Sequence, residues 1–190
     1  KSLDPNIART IWVAGCATGE EAYTISMIAN EHKTSHVNIV ATDIDEKALG
    51  EAKQGIYPTP SALYPSCFES IPDYYFQKYF TNEDGDHWRA VDIIRNRIEW
   101  MQHDLLVDFP PVDSEFDLIT CRNVLMYFSV DKQQKIMETM IQCLKKRNGL
   151  LLLGINDHCA IKFATQHPLC TLITIKDQES SCLWRVKQSF

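Results

Sequence analysis

Residues 10–32 carry the pattern that most constrains the fold: an apolar strand, a turn with two glycines and an amphipathic helix. Thr10-Ile-Trp-Val-Ala14 is short and rich in strand-forming residues, and Gly15-Cys-Ala-Thr-Gly19 follows it directly. From Glu20 to about His32, apolar residues recur at helical spacing. A strand that enters a helix through a glycine turn predicts an α/β sheet with its ligand at the carboxyl ends of the strands.

The rest of the chain repeats this alternation. A strand at Val37–Thr42 precedes a helix that Asp45 can cap and that reaches about Gln54. Later segments predict a strand at 116–121, a helix at 130–146 ended by Asn148-Gly149, a strand at 150–155, and an antiparallel pair at 171–175 and 182–186. We therefore expect a doubly wound, mostly parallel sheet with an antiparallel C-terminal strand.

Residues 57–97 interrupt the alternation. Four prolines between Gly55 and Asp73 exclude a regular helix or central strand throughout that stretch. Asp84-Gly85, with β-rich runs at 88–94 and 97–101, predicts a hairpin or a small antiparallel subdomain. We interpret residues 1–190 as one domain and 57–97 as a small insertion in it.

Composition limits the class of protein and its partners. The net charge is -6 and no cationic run occurs, which argues against a nucleic-acid partner but leaves an acidic protein substrate possible. Seven cysteines without a Cys-x-x-Cys pair argue against a disulfide framework or zinc ribbon and favour a reducing, cytoplasmic setting. No leader and no apolar run near 18 residues is present, so no membrane insertion is expected.

The glycine turn is the first candidate ligand segment. Its glycines follow the order G-x-x-x-G and not the G-x-G-x-x-G of dinucleotide-binding turns, so a nicotinamide-dependent oxidoreductase is disfavoured. Glu20 and Glu21 would repel a phosphate but would tolerate a cofactor with an ammonium and a sulfonium. The alternative for these acids is stabilisation of the first helical turn through the helix dipole.

Two further polar segments follow strands. Asp43 can accept both hydroxyls of a ribose, whereas Asp45 is better explained as a helix cap. After the strand at 116–121, Arg122, Asn123 and Tyr127 lie at the mouth of the sheet, and an arginine there can orient a carboxylate.

Together these segments resemble the CheR-type chemotaxis receptor methyltransferases. The order and spacing agree over roughly residues 10–155. The matching stretches are Ala14–Tyr23, Ala41–Asp45 with Ala52–Tyr57, Tyr79-Phe80, Asp104–Leu106, Phe116–Phe128, and Leu144-Lys145 with Gly149–Leu152. The combination of the glycine turn with Cys-Arg-Asn-Val and Tyr-Phe is specific, whereas the turn alone is weak.

The resemblance implies a Rossmann-like methyltransferase sheet that binds S-adenosylmethionine. By it, Asp43 contacts the ribose, Asp104 and Leu105 flank the adenine, and Asn123 and Val124 line the methionine end. Gly15 and Glu21 complete the implied cofactor site, and Arg122 and Tyr127 border the methyl-transfer site. Members often carry Asn where Asp104 stands.

The implied activity is formation of glutamate methyl esters on the cytoplasmic region of a chemoreceptor. Two departures qualify it: the family's upstream Thr-x-Phe-Phe-Arg stretch is absent from residues 1–190, and Ile155-Asn-Asp-His158 replaces the usual His-Ser-Glu. The alternative is a cofactor-binding sensor or scaffold domain with weak or no turnover.

Other polar residues and the cysteines are not expected to form a metal or thiol site. His103, Asp157 and His158 are too loosely spaced for a metal site, so none is expected. Cys16 and Cys121 lie near the proposed site, but no histidine adjoins either of them to make a catalytic thiol.

Overall fold

A computed structural model describes residues 8–33, 36–59, 68, 71–107, 110–112, 115–145, 148–174 and 182–188. These residues form two compact units, one within residues 8 and 16–102 and one within residues 9–15 and 103–188. The seven strands of the main sheet are divided between them, two in the first unit and five in the second.

The first unit holds the helix that follows the glycine turn and a parallel strand pair. Its elements are α1 (Glu20–Glu31), β2 (Val37–Asp43), α2 (Glu46–Gln54), β3 (Ile56–Pro58), α3 (Asp73–Tyr79), β4 (Phe80–Asn82), β5 (His87–Ala90), α4 (Asp92–Arg95) and β6 (Ile98–Gln102). Strands β2 and β6 pair in parallel, with Asp43 opposite Gln102 at their carboxyl ends. A separate three-stranded antiparallel sheet has the order β3-β5-β4.

The second unit holds the larger part of the main sheet. Its elements are β1 (Arg9–Ala14), β7 (Leu118–Cys121), a short 3-10 helix (Leu125–Tyr127), α5 (Val130–Lys145), β8 (Leu150–Leu153), α6 (His158–Gln166), β9 (Cys170–Leu172) and β10 (Leu183–Val186). Strands β1, β7 and β8 are parallel, and β10 is antiparallel to both β8 and β9. The predicted mostly parallel sheet with an antiparallel C-terminal strand is confirmed.

Apolar burial places the core of the second unit under α5. The helix repeats apolar residues at helical spacing and buries Ile136, Met137, Met140, Ile141 and Leu144 against the sheet strands. The core also includes the rings of Trp12, Phe116 and Trp184. Helix α5 thereby packs against β7, β8 and β10.

Two predicted segments differ from the structure. The β-rich run at 88–94 ends as a strand at Ala90, because α4 begins at Asp92. The prediction that the run at 97–101 belongs to a hairpin or a small antiparallel subdomain is wrong, because this run forms β6, which pairs in parallel with β2. The Asp84-Gly85 turn itself joins β4 and β5 as an antiparallel hairpin, with Gly85 at φ +91°. The small sheet is thus present, while the bounds 57–97 stay a prediction that partly falls outside the described residues.

No helix within the described ranges combines the length and apolar character that crossing a bilayer requires.

Candidate functional site

The glycine turn is held by backbone hydrogen bonds and by Asp43. The amide of Cys16 donates to the Thr42 carbonyl at 2.9 Å, and the amide of Ala17 donates to Asp43 Oδ2 at 2.8 Å. Asp43 Oδ1 accepts from the amide of Asp45 at 3.0 Å. The carboxylate therefore has a fixed orientation, and two of its roughly four acceptor positions remain for a ligand such as a ribose diol.

Asp45 is a helix cap, as predicted. Its side chain accepts hydrogen bonds from the amides of Lys47 and Ala48 at the start of α2. The structure therefore separates the two aspartates of Asp43-Ile-Asp45 into one that holds the glycine turn and one that caps a helix.

Glycines in the turn make room for side chains of the protein itself. A Cβ on Gly15 would lie 2.4 Å from Val124 Cγ2, and one on Gly19 would lie 2.7 Å from Trp100 Cη2. Both glycines have positive φ, 71° and 94°. The space expected for a ligand next to the glycine Cα atoms is occupied at these two points, so any ligand must approach other faces of the turn.

The small sheet supports the turn from within the first unit. Tyr57 on β3 donates its hydroxyl proton to the Thr18 carbonyl at 2.7 Å, and its ring lies edge-on to Tyr23. Glu20 and Glu21 occupy the first turn of α1, where the Thr18 hydroxyl donates to Glu20 at 2.7 Å. Carboxylates at this point suit a cationic cofactor better than a phosphate, in agreement with the glycine pattern.

The thiol of Cys16 is unsuited to nucleophilic chemistry. Burial, followed by the nearby charge of Asp43, raises the pKa of Cys16 to about 12. The thiol is therefore protonated at neutral pH, and the residue behaves as a small apolar side chain.

In the second unit, Asp104 and Leu105 follow β6 in a short turn. Asp104 Oδ1 accepts from the amide of Leu106 at 2.9 Å, and both Asp104 and Leu105 are half-buried. His103 packs edge-on against Trp12, and burial lowers the pKa of its imidazole. No group of His, Cys, Asp or Glu among the residues with described placement is arranged as a metal site.

The loop after β7 carries Arg122, Asn123, Val124 and Tyr127. Arg122, Asn123 and Tyr127 are exposed, and Tyr127 is 80% exposed. Asn123 adopts φ 58°, a left-handed conformation that asparagine tolerates better than most residues. The structure thus places these predicted residues in one loop, with Arg122, Asn123 and Tyr127 exposed.

Sequence reasoning missed the role of Asp157. This carboxylate is fully buried and accepts three backbone hydrogen bonds, from Asn123 at 2.7 Å, Gly154 at 3.1 Å and Met126 at 3.0 Å. The available signal was an acidic residue shortly after the glycine that follows β8. The sequence does not show which loop the side chain of this residue contacts.

Comparison with known proteins gives the family. Residues 4–172 match the family model described as the CheR methyltransferase SAM binding domain. A chemotaxis protein methyltransferase of Borreliella burgdorferi is 33% identical over 147 residues, which cover 75% of this chain and 50% of the relative. Chemotaxis protein methyltransferase 1 of Pseudomonas aeruginosa is 32% identical, with 77% of this chain and 54% of the relative covered. The chain spans about half the length of these relatives.

Solved structures support the fold. A TehB-like SAM-dependent methyltransferase from Corynebacterium glutamicum aligns with a TM-score of 0.51 at 15% identity, covering 94% of this chain and 78% of that one. Magnesium protoporphyrin IX methyltransferase from Synechocystis with bound SAM aligns with a TM-score of 0.53 at 13% identity, covering 96% and 71%. At such identities the likeness establishes the α/β methyltransferase fold alone. The family match, in contrast, rests on most of the sequence, and the chain belongs to the CheR methyltransferase family, whose domain of this type binds S-adenosylmethionine.

Proposed function

We propose that this protein methylates glutamate side chains on the cytoplasmic region of a chemoreceptor, and that it does so in the cytoplasm. The relatives named above are chemotaxis protein methyltransferases, and the chain matches their cofactor-binding domain over most of its length. The single observation that carries the proposal is the Asp43 carboxylate, fixed against the glycine turn with acceptor positions to spare.

The cofactor assignments follow the family resemblance and are compatible with the local chemistry. Asp43 binds the ribose, Asp104 and Leu105 flank the adenine, and Asn123 and Val124 line the methionine end. Gly15 and Glu21 border the site at the glycine turn. A carboxylate at Glu21 favours a ligand that carries positive charge.

Residues Arg122 and Tyr127 are proposed to hold the acceptor. Their exposure leaves them accessible to a protein substrate, and a guanidinium can bind a carboxylate through two hydrogen bonds. S-adenosylmethionine, when bound, supplies an electrophilic methyl group whose thioether leaving group needs no protonation. An acceptor glutamate is ionised at pH 7, since its ordinary pKa is about 4.3, so the protein supplies alignment and exclusion of water with no strong base.

A methyl-transfer assay tests the proposal. The full-length protein is incubated with S-adenosylmethionine labelled on the methyl group and with the cytoplasmic fragment of a chemoreceptor from the same organism. We expect label on the receptor that mild base releases as methanol, because a glutamate methyl ester hydrolyses under those conditions. A receptor fragment whose candidate glutamates are changed to alanine is the control. Cofactor binding without transfer to any receptor would contradict the proposed activity and leave a binding domain.

A further inference from the structure

Asp157 has an unusual place in the structure: it occupies the N-cap position of α6 but does not cap that helix. An aspartate at this position ordinarily accepts a hydrogen bond from the first helical turn. Here the side chain makes no such bond and turns instead to the amides of Asn123 and Met126 in the loop after β7. The aspartate therefore does not make the capping bond that its position favours, and it bonds instead to amides 31 to 34 residues away in sequence.

The residues around Asp157 also lie close to Asn123. A Cβ on Gly154 would lie 2.3 Å from the Asn123 amide nitrogen and 2.8 Å from Asp157 Oδ2, so only glycine admits the approach. The side chain of Asn156 donates to Asn123 Oδ1 at 3.4 Å. Segment 154–157, which follows β8, therefore holds the loop after β7 at Asn123. It contacts both the backbone amide and the side chain of that residue.

We propose that Asp157 is a positioning residue for the methyl-transfer site. It fixes the backbone at Asn123 and Met126, and through that backbone it sets where Arg122, Asn123 and Tyr127 present their side chains. The inference rests on the proposed function, because the loop matters to catalysis only if it borders the cofactor and the acceptor.

A carboxylate is the group that the geometry requires. Three N–H donors converge on its two oxygens, and an ionised carboxylate offers acceptors only. In Asp157→Asn one oxygen becomes an NH₂ group that faces an amide N–H, so at least one of the three bonds is lost. Hydrogen bonds to a charged group in a buried site are among the strongest in proteins.

Asp157→Asn is tested beside Asp117→Asn, a matched control. Asp117 lies just before β7, at the opposite end of that strand, and accepts from the Thr10 amide at 2.9 Å. In the full chain, amide hydrogen exchange is measured together with the affinity for S-adenosylhomocysteine. We expect Asp157→Asn to lose about 10-fold or more of the protection at Asn123 and Met126 and about 10-fold in affinity. Asp117→Asn keeps one oxygen that can accept from the Thr10 amide and loses the ion pair with Arg9, so it should keep the affinity within about twofold.

Both variants are expected to unfold at lower temperature, so a loss of stability alone would affect them alike. Amide exchange in the loop and affinity for S-adenosylhomocysteine should change in Asp157→Asn only, and these two readouts therefore separate positioning from stability. Affinity that stays within twofold in Asp157→Asn overturns the proposal, whether or not the loop amides lose protection.

If Asp157→Asn does not fold, Asp157→Ser takes its place, because serine is smaller than aspartate and retains one acceptor. In that variant, amide protection and affinity for S-adenosylhomocysteine must fall together. Wild-type protein that does not bind S-adenosylhomocysteine contradicts the proposed function instead, and unchanged exchange at Asn123 and Met126 contradicts the hold of Asp157 on the loop.

Discussion

Asp43 and Asp45 are two carboxylates two residues apart whose roles can be separated by experiment. Asp43→Asn leaves one oxygen to serve the amides of both Ala17 and Asp45, and it removes the charge that a ribose diol would bind. We expect the affinity for S-adenosylhomocysteine to fall by about 10-fold to 100-fold in calorimetry, as for loss of hydrogen bonds to a charged group.

Asp45→Asn is the control for that change. Asparagine is an equally good N-cap, so α2 should keep its stability and the cofactor should bind with unchanged affinity. Equal losses in the two variants would mean that the ribose assignment of Asp43 is wrong.

Gly15 is constrained twice, by its positive φ and by the side chain of Val124. In Gly15→Ala, a left-handed alanine costs about 1–2 kcal/mol, and the 2.4 Å approach to Val124 Cγ2 adds an overpacking cost. We expect the free energy of unfolding in urea to fall by about 2 kcal/mol or more, with part of the loss recovered in the double variant with Val124→Ala.

Gly50→Ala should change the free energy of unfolding in the opposite direction and stabilise the protein. Gly50 lies inside α2, and a Cβ there meets no atom within 4 Å. Alanine should stabilise the helix by about 0.5–1 kcal/mol, and a destabilisation as large as that of Gly15→Ala would contradict the argument from strain and contact.

At the scale of elements, the small antiparallel sheet supports the glycine turn through one hydroxyl. Tyr57→Phe removes the hydrogen bond to the Thr18 carbonyl and keeps the ring contacts with Tyr23 and Phe68. We expect a loss of about 1 kcal/mol in the free energy of unfolding and a several-fold weaker binding of S-adenosylhomocysteine.

Tyr74→Phe provides the comparison, since Tyr74 on α3 is 66% exposed. Tyr74→Phe should change the free energy of unfolding by less than about 0.5 kcal/mol. The affinity for S-adenosylhomocysteine should stay unchanged. If the two variants behave alike, the small sheet does not hold the turn.

The elements that the sequence predicts well are those with strong periodicity. Strand β1, helix α1 and helix α5 lie within two residues of their predicted bounds, because their apolar residues repeat at the spacing of one regular structure. Helix α6, at His158–Gln166, was not predicted, since its apolar stretch follows a strand; in the structure its N-cap aspartate makes no capping hydrogen bond.

The pairing of β6 shows the limit of local patterns. Its run of residues after a hairpin suggests an antiparallel neighbour, yet it pairs in parallel with β2, which lies more than fifty residues earlier. Register of that kind depends on long-range burial and not on the strand itself. The contact of Asp157 with Asn123 was missed for the same reason.

For the whole molecule, binding of the cofactor predicts a thermal shift, because a ligand that binds only the native state stabilises it. At a concentration 100-fold above Kd the stabilisation is about 2.7 kcal/mol, and for a chain of this size it raises the melting temperature by about 5–10 °C. S-adenosylhomocysteine should produce this rise in a thermal scan, Asp43→Asn should reduce it, and NAD should produce none. A rise with NAD equal to that with S-adenosylhomocysteine would indicate a dinucleotide site and contradict the distinction drawn from the order of Gly15 and Gly19.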